Sequence, residues 1–335
     1  MQPSEPSSVT ASWCDPGPMS WVRITGSDAV RFVENFTTAA VGRLQDGAGC
    51  EGFFTDVRGQ VICMAGLLRC GPDSGEEPAV EIVADGDVGE GLAEHLERYH
   101  IREPIEIEDL SAARCTLALL GASVGDSLAA CFNGHRPVAS LASGFDHAAY
   151  SLKSGQDAAM TVRLMRCDWA GPHAWLVSCP AEDRVTLEQT LASARLVAAD
   201  ASAWDTARIE AGSPRHHDLL PKTLPQELGR DDRAISFTKG CYLGQETVAR
   251  LDALGHVNRR LVGLAVQGDT VPAVGAEIAA ADAAIGQVTS SCFSTQLGRP
   301  LVLAILPVKP IATAALRVAG MTAERVELPL TVPQP

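Results

Sequence analysis

One cysteine stands in a setting suited to chemistry. The residues from Lys239 to Glu246, here called the cysteine segment, read KGCYLGQE, so Cys241 lies between Gly240 and Gly244. Glycine lets the backbone bend sharply or approach a ligand closely, and a lysine near a thiol favours the reactive thiolate. We therefore interpret Cys241 as a reactive thiol and Lys239 as its charge partner. The alternative, a buried cysteine in a tight turn with a surface lysine, fits the residues equally well.

Two elements must position the cysteine segment. Residues 234–238, AISFT, are typical of a strand, and residues 245–254 predict a helix that Gly255 ends. The unpaired N–H groups at the start of a helix carry the positive end of its dipole. A thiol placed there should lose its proton more readily, which supports the reactive interpretation.

A second pattern raises the possibility of a serine esterase. Residues 121–125, GASVG, match the G-x-S-x-G nucleophile elbow between an apparent strand and a helix, with Ser123 as the nucleophile. Two pairs of an acid and a histidine are available to complete a triad: Asp146 with His173, or Asp200 with His216. The strands that follow do not alternate with helices as that fold requires, so the esterase is a remote alternative.

No pattern of metal ligands stands out. The ten cysteines are scattered, and no two are spaced C-x-x-C as in zinc or iron–sulfur sites. His216 and His217 are adjacent in a polar stretch, which is more typical of a solvated loop than of a metal site. We predict no bound metal and reduced cysteines in a reducing compartment, by default the cytoplasm.

Composition indicates a soluble globular protein. Its 335 residues suffice for two or three domains, and the net charge of −14 argues against a nucleic-acid partner. From Arg208 to Arg260, however, nine basic residues oppose seven acidic ones, which suits an anionic small ligand.

The longest apolar run, residues 301–306, is too short for a membrane helix. Residues 1–18 lack a signal-peptide pattern and are predicted to be a disordered tail.

The order of the predicted elements favours an α+β fold. Strands and helices are mixed with hairpins, such as the two strands on either side of Arg58 and Gly59. Residues 181–194 predict a clear helix, whereas residues 200–235 are rich in loops. Residues 258–330 show strands separated by Gly and Pro turns without a helical period, which predicts a separate small β-domain.

The cysteine segment resembles the signature of the YgfZ family. These are folate-binding proteins that support assembly or repair of iron–sulfur enzymes, including those that modify tRNA, and they are related to the aminomethyltransferase (T-protein) of the glycine cleavage system. The likeness extends to DTARIEAG, LPQELG and IGQVTSSCFSTQLGRPLVLAIL and covers roughly residues 21–330. It implies two ferredoxin-like folate-binding units in a ring-like arrangement over residues 19–255, a small C-terminal β-barrel, and folate in the central opening.

The resemblance also implies site residues, with tetrahydrofolate or a one-carbon derivative as the cofactor. Cys241 and Lys239 would be the catalytic groups, and Cys241 would contact a cluster only transiently or together with a partner. The implied cofactor-binding residues are Arg208, Glu210, Tyr242, Gly244, Gln245 and Glu246. The implied partners are folate and iron–sulfur enzymes or their assembly machinery, with no direct nucleic acid, no membrane and a monomeric state.

A folate-dependent aminomethyltransferase or demethylase is the alternative. In the T-protein, Asp residues beside the central hairpin orient the reactive end of the folate, and the matching positions here are Cys63 and Met64. A Gly-Glu stretch thought to hold the pteridine is replaced by Pro172 and His173. Without these carboxylates a developing cation at the folate nitrogen lacks its charge partner, which disfavours glycine cleavage. If the chain is an enzyme, the resemblance implies a one-carbon (aminomethyl) transferase.

Overall fold

The computed structural model describes residues 11–72, 77–134, 136–154, 158–281 and 283–330. Over these residues the chain forms three β-sheets flanked by helices. The strands are β1 (Ser12–Cys14), β2 (Met19–Thr25), β3 (Gly49–Thr55), β4 (Val61–Cys70), β5 (Ala79–Asp85), β6 (Glu106–Asp109), β7 (Arg114–Leu120), β8 (Asn133–Gly134), β9 (His147–Ser154), β10 (Ala158–Arg166), β11 (Ala174–Pro180), β12 (Val197–Ala198), β13 (Arg259–Val266), β14 (Glu277–Ala280), β15 (Ala283–Gln287), β16 (Ser290–Ser294), β17 (Arg299–Pro307), β18 (Leu316–Val318) and β19 (Met321–Val326). The α-helices are α1 (Ala29–Glu34), α2 (Gly89–Glu97), α3 (Val124–Ala129), α4 (Arg184–Ser193), α5 (Ser202–Glu210), α6 (Asp231–Ala234), α7 (Gln245–Leu254) and α8 (Val308–Thr313).

The first unit is a five-stranded antiparallel sheet in the order β3-β4-β5-β2-β6. Its β3–β4 hairpin turns at the predicted Arg58 and Gly59. Helices α1 and α2 cover one face, because Phe32 and Val33 of α1 and Leu92 and Leu96 of α2 form one apolar side of each helix. These side chains are buried together with residues of β2, β4 and β5.

The second unit is a seven-stranded sheet in the order β12-β1-β7-β11-β10-β9-β8. Its first strand corrects the prediction of a disordered tail over residues 1–18. Ser12–Cys14 pairs antiparallel with β7 and parallel with β12, and Cys14 is buried in the interior. Three residues are too few to show a period in the sequence, so only the partner strands reveal this element. Residues 1–10 of the predicted tail lie outside the described residues.

The two units pack face to face around a central cluster of large apolar side chains. Trp21 in β2 bridges them directly, because its indole Nε1 donates a hydrogen bond of 2.9 Å to Thr116 Oγ1 in β7. Truncating a buried tryptophan to alanine typically costs about 3–5 kcal/mol, so this cluster fixes the relative position of the units. Its members include Trp21, Phe53, Met64, Phe145, Trp169, Leu176, Trp204 and Ile235.

The last third of the chain is a curled antiparallel sheet of seven strands, ordered β15-β14-β18-β19-β13-β17-β16. Its core is its own, formed mainly by Val, Leu and Ile of β13, β14, β17 and β18. Helix α5 packs against the remaining side through Ile209, which contacts Leu301 and Leu303. The predicted α+β class, with two α+β units followed by a small β-domain, is confirmed.

Two local predictions need comment. Residues 200–235, predicted to be rich in loops, contain α5 and the short α6, but residues 211–230 between them form no α-helix or strand. Residues 234–238 do not form a strand, because α6 ends at Ala234 and Phe237 remains 48% exposed with no sheet edge beside it. The segment is instead held by hydrogen bonds to Thr38 and Arg43. Ser236 N donates to Thr38 O at 2.8 Å, Thr38 Oγ1 donates to Ala234 O at 2.5 Å, and Arg43 donates to the main-chain oxygen and the hydroxyl of Thr238.

Candidate functional site

The cysteine segment is anchored at its first residue by a buried ammonium group. Lys239 Nζ donates to three main-chain oxygens at the end of α1, at 2.6, 2.8 and 2.7 Å: those of Glu34, Thr37 and Ala39. These carbonyls have no partner within the helix, and a cation at a helix C-terminus is favourable. The Lys239 side chain is only 1% exposed, so it ties the segment to α1 from the inside.

This placement differs from the predicted role of Lys239 as a charge partner of Cys241. Burial lowers the pKa of the Lys239 ammonium to about 8, although the nearby Glu34 carboxylate acts in the opposite direction. The Lys239 charge lowers the pKa of a different thiol, that of Cys50. Burial has the larger effect and raises the Cys50 pKa to about 12. Lys239 is therefore a positioning residue in this structure, and its ammonium faces carbonyl oxygens.

A second set of contacts fixes the other half of the cysteine segment. Leu243 N donates to Asn35 O at 2.9 Å, and Leu243 O accepts from Thr55 Oγ1 at 2.6 Å. Just before the segment, Arg43 donates to the main-chain oxygen and the hydroxyl of Thr238, at 2.7 and 2.9 Å. The segment therefore lies between the end of α1 and the β3–β4 hairpin, with its backbone held on both sides.

Gly244 is required by this packing. Its φ is +82°, and a Cβ at this position would lie 2.4 Å from Asp56 O and 2.8 Å from the Cα of Gly59. No other residue fits so close to the hairpin turn. Gly244 is also the N-cap of α7, and the side chain of Gln245 accepts a hydrogen bond of 3.2 Å from Tyr242 N. The predicted helix at residues 245–254, ended by Gly255 with a φ of +67°, is confirmed.

Cys241 lies between the two anchored residues of the segment, Lys239 and Leu243. All ten cysteines fall in the described part of the chain, and Cys241 is the one classed as exposed. It lies three residues before the N-cap of α7, Gly244. The neighbouring Gly240 is exposed too, and a Cβ there would meet no atom within 4 Å. The segment thus presents a thiol to solvent on a firmly anchored backbone.

Tyr242 connects Cys241 to the interior. Its half-buried ring packs on the edge of the central cluster and lies 5.2 Å from Lys239 Nζ, a cation–π distance. Burial raises the pKa of the Tyr242 phenol to about 12, so it is neutral at physiological pH. Glu246, in contrast, is exposed on the first turn of α7.

Arg208 is buried in a different part of the molecule. Its guanidinium donates to four groups, all close by: Asp205 Oδ1 at 2.6 Å, Ser213 O at 3.3 Å, Asp218 Oδ2 at 3.2 Å and Ser290 Oγ at 2.9 Å. The Arg208 side chain is 3% exposed and that of Asp218 is fully buried. Arg208 therefore links α5 to β16 and to the following turn.

Glu210, two residues further along α5, makes a similar connection. Its carboxylate accepts from Ser294 Oγ at 2.6 Å, from Gln296 N at 3.1 Å and from Gln296 Nε2 at 2.7 Å. Among the described residues, no hydrogen bond of Arg208 or Glu210 reaches the cysteine segment. The predicted site is thus divided between an exposed segment and an internal interface.

A buried ion pair that was not predicted from the sequence lies in the middle of the molecule. Arg230 donates through Nε and Nη2 to both oxygens of Glu51, and the Trp169 indole donates to the same carboxylate at 3.1 Å. All three residues are buried, and the Glu51 charge raises the pKa of Arg230 against the effect of burial. This network joins β3, the turn after β10 and the residue before α6. A glutamate inside the apolar run GCEGFF is the one signal that could have indicated it.

The positions that correspond to the T-protein carboxylates are interior and apolar. Cys63 and Met64 in β4 are 1% and 7% exposed, and burial raises the pKa of the Cys63 thiol to about 12. Pro172 and His173 lie exposed in the turn before β11. None of these side chains supplies a carboxylate next to the central cluster.

The esterase and metal hypotheses find no support in the geometry. Ser123 is exposed at the N-cap of α3, and its side chain makes no hydrogen bond to a described residue. Asp146 is engaged by Arg136 and by the main-chain N–H groups of Ala142 and Ser143. Across the described ranges, no three His, Cys, Asp or Glu side chains are close enough to hold a metal ion. Nor does any helix described here have the length and apolarity to cross a bilayer.

Comparison with known proteins places most of the chain in one family. Residues 8–239 match the GCVT N-terminal domain, and residues 259–331 match the glycine cleavage T-protein C-terminal barrel domain. The solved glycine cleavage system aminomethyltransferase T from Bartonella henselae superposes with a TM-score of 0.77, covering 96% of this chain and 86% of that one. At 21% sequence identity this shows the fold alone.

The sequence relatives are distant. An aminomethyltransferase of Thermus thermophilus is 27% identical over 288 residues, covering 84% of this chain and 75% of the relative. A chloroplastic Arabidopsis thaliana protein named as a transferase is 25% identical over 279 residues, and an aminomethyltransferase of Streptomyces avermitilis is 33% identical over 163. The matches span only 59% and 44% of those two proteins. Because one family match already covers more than half of the sequence, the chain belongs to the glycine cleavage T-protein (GCVT) family.

Proposed function

We propose that this protein is a tetrahydrofolate-binding accessory protein for the assembly or repair of iron–sulfur enzymes, among them tRNA-modifying ones. The observation that carries the proposal is the presentation of Cys241, exposed on a segment whose backbone is anchored on both sides. Iron of a cluster binds thiolate, so a thiol that meets a client must be accessible. A single thiolate cannot hold a cluster, so the client or a partner supplies the remaining ligands.

Folate binding is proposed at the edge of the central cluster next to the cysteine segment. Tyr242 offers an aromatic ring there, and Val61 and Leu220 are partly buried apolar neighbours of the same cluster. A pteridine is flat and aromatic, so it can stack on such a ring. Gln245 and Glu246 lie beside it at the start of α7. Arg208 and Glu210 would act indirectly, by holding α5 in place.

A folate-dependent aminomethyltransferase or demethylase remains the second candidate, because the chain belongs to the T-protein family. That reaction passes through a developing positive charge at a folate nitrogen, which a carboxylate normally stabilises. The buried Cys63 and Met64 supply none. We expect no methylenetetrahydrofolate from a panel of small methylated amines, and its formation would favour this candidate over the first.

The accessory function is tested in cells that lack the native protein. Cys241→Ser should lower the activity of iron–sulfur enzymes while the protein remains folded and abundant. Cys131→Ser, which changes a half-buried cysteine elsewhere, is the matched control and should support normal activity. Normal cluster-enzyme activity with Cys241→Ser would refute the role of the thiol.

Folate binding is tested separately, by anaerobic titration of the purified protein with tetrahydrofolate. We expect saturable binding that Tyr242→Leu weakens and Tyr99→Leu leaves unchanged, since Tyr99 packs against Phe36 and His95 in the first unit. Absence of binding to the wild-type protein would remove folate from the proposal. The test of Cys241 in cells would then stand on its own.

A further inference from the structure

A cavity of about 480 Å³ lies between the two α+β units, on the side where β2 and β5 face β10 and β11. Strand register sets its polar lining. In the second sheet Arg163 is directly opposite Ser178, and in the first sheet Arg23 is directly opposite Glu81. The cavity is therefore built by cross-strand pairs of two sheets, and none of its lining residues belongs to the cysteine segment.

Arginine dominates the charge of this cavity. Glu81, which is 1% exposed, accepts from Arg163 Nε at 3.0 Å and from Arg114 Nη2 at 3.2 Å, and Arg23 Nε lies 4.0 Å from it. Burial alone would raise the pKa of the Glu81 carboxyl, but Arg163 and Arg114 outweigh it and hold that pKa at about 2. Burial and the Arg163 charge hold the pKa of the adjacent His147 at about 3, so that imidazole is neutral. Three guanidinium groups thus face two carboxylates in the lining, the buried Glu81 and the exposed Glu182, which leaves one positive charge in excess.

Two polar atoms that line the cavity lack a hydrogen-bond partner among the described residues. The hydroxyl of Ser178 and Nε of Arg23 are both buried and make no hydrogen bond to a described residue. Ser178 is only 1% exposed as a whole residue. A buried polar group without a partner costs about 1–3 kcal/mol, so two of them at one cavity call for an occupant. Arginine can only donate, so the occupant must accept hydrogen bonds.

The rest of the lining limits the size and shape of that occupant. Leu110, Ala113, Ala149 and Pro180 form short apolar walls, and Arg114 lies with its guanidinium 4.6 Å from the ring centre of Trp21. Stacking on Trp21 orients the planar Arg114 guanidinium, and such a group can donate two parallel hydrogen bonds to a phosphate or carboxylate. Water alone could satisfy single donors, but it would not offset the excess of positive charge.

We propose that this cavity is a binding site for a small multiply charged anion, a phosphate ester or a di- or tricarboxylate, held by Arg23, Arg114 and Ser178. The site is separate from the proposed folate site. Arg163 and Glu81 form its floor, because their side chains are almost fully buried, at 7% and 1% exposed. The ligand would bridge the two units and so stabilise their packing.

The test is a titration of the full chain with inorganic phosphate and, in a second arm, with citrate, at constant ionic strength set with chloride. Binding is followed by calorimetry and by the rise in melting temperature. We expect saturable binding of at least one anion, weakened about tenfold by Arg23→Gln and by Ser178→Ala, the loss expected for one charge-assisted hydrogen bond. The control is Arg102→Gln, which removes an exposed arginine outside the cavity and should bind like the wild type.

The two arms identify the chemistry that the site prefers. Phosphate binding without citrate binding points to phosphate esters, and the reverse points to organic acids. Absence of saturable binding of both anions to the wild-type protein overturns the proposal. Equal binding by the wild type, Arg23→Gln and Ser178→Ala also overturns it, because the anion would then be held elsewhere.

Discussion

The cysteine segment and helix α5 were both predicted to contact folate, yet they use their polar groups in opposite ways. In the cysteine segment, main-chain atoms and the Lys239 ammonium make the anchoring contacts, and the Cys241 side chain is left exposed. In α5, the side chains of Arg208 and Glu210 make the anchoring contacts themselves. The Cys241 thiol is therefore exposed to solvent, whereas the Arg208 and Glu210 side chains are engaged inside the fold.

This difference predicts different responses to substitution. Changing a residue of α5 should damage the fold, whereas changing Cys241 should damage only the function.

Arg208→Met should give the largest loss of stability. The substitution leaves the Asp218 carboxylate buried without its cation, and breaking a buried ion pair in this way typically costs about 3–5 kcal/mol. The free energy of unfolding in urea measures the loss. Adding Asp218→Asn should recover part of it, because the unpaired charge disappears. An Arg208→Met protein as stable as the matched surface variant Arg102→Met would contradict this role.

The α+β class and the helix α7 could be predicted because they depend on local periodicity and on glycine stops. The hydrogen-bond partners of a charged side chain could not be predicted, because they lie far away in the sequence. Lys239 illustrates this, since its acceptors lie about two hundred residues earlier. The Glu51–Arg230 pair, separated by 179 residues, is a second case.

The anchoring charges around His147 predict a loss of stability in acid. Burial holds the folded pKa of His147 near 3, below the ordinary 6.5, so the unfolded chain takes up a proton first as the pH falls. Stability should therefore decrease from pH 6.5 downward, by up to about 1.4 kcal/mol per pH unit. His147→Asn should flatten the curve between pH 6.5 and 4.5, a range that lies above the titration of Glu81. An unchanged slope in urea unfolding would show that His147 is not the responsible group.

The two glycines that flank Cys241 should differ in their tolerance of a methyl group. Gly244→Ala forces a positive φ on alanine and places Cβ against Asp56 O, so we expect a loss of roughly 1–3 kcal/mol. Gly240→Ala meets open space and should change stability by less than about 0.5 kcal/mol. Thermal unfolding of both variants tests the pair, and equal effects would mean that the hairpin does not hold the segment.

Cys241→Ser should change stability least, by less than about 0.5 kcal/mol, because the side chain is exposed and anchors nothing. The substitution should instead remove the most reactive thiol of the native protein. Iodoacetamide reacts with accessible thiolates, and burial raises the thiol pKa of Cys14 to about 11 and that of Cys292 to about 12. The first label on the native protein should therefore fall on Cys241, as mass spectrometry of peptides can show. If the half-buried Cys131 reacted first, the cysteine segment would not present its thiol, and the contrast with α5 would lose its functional meaning.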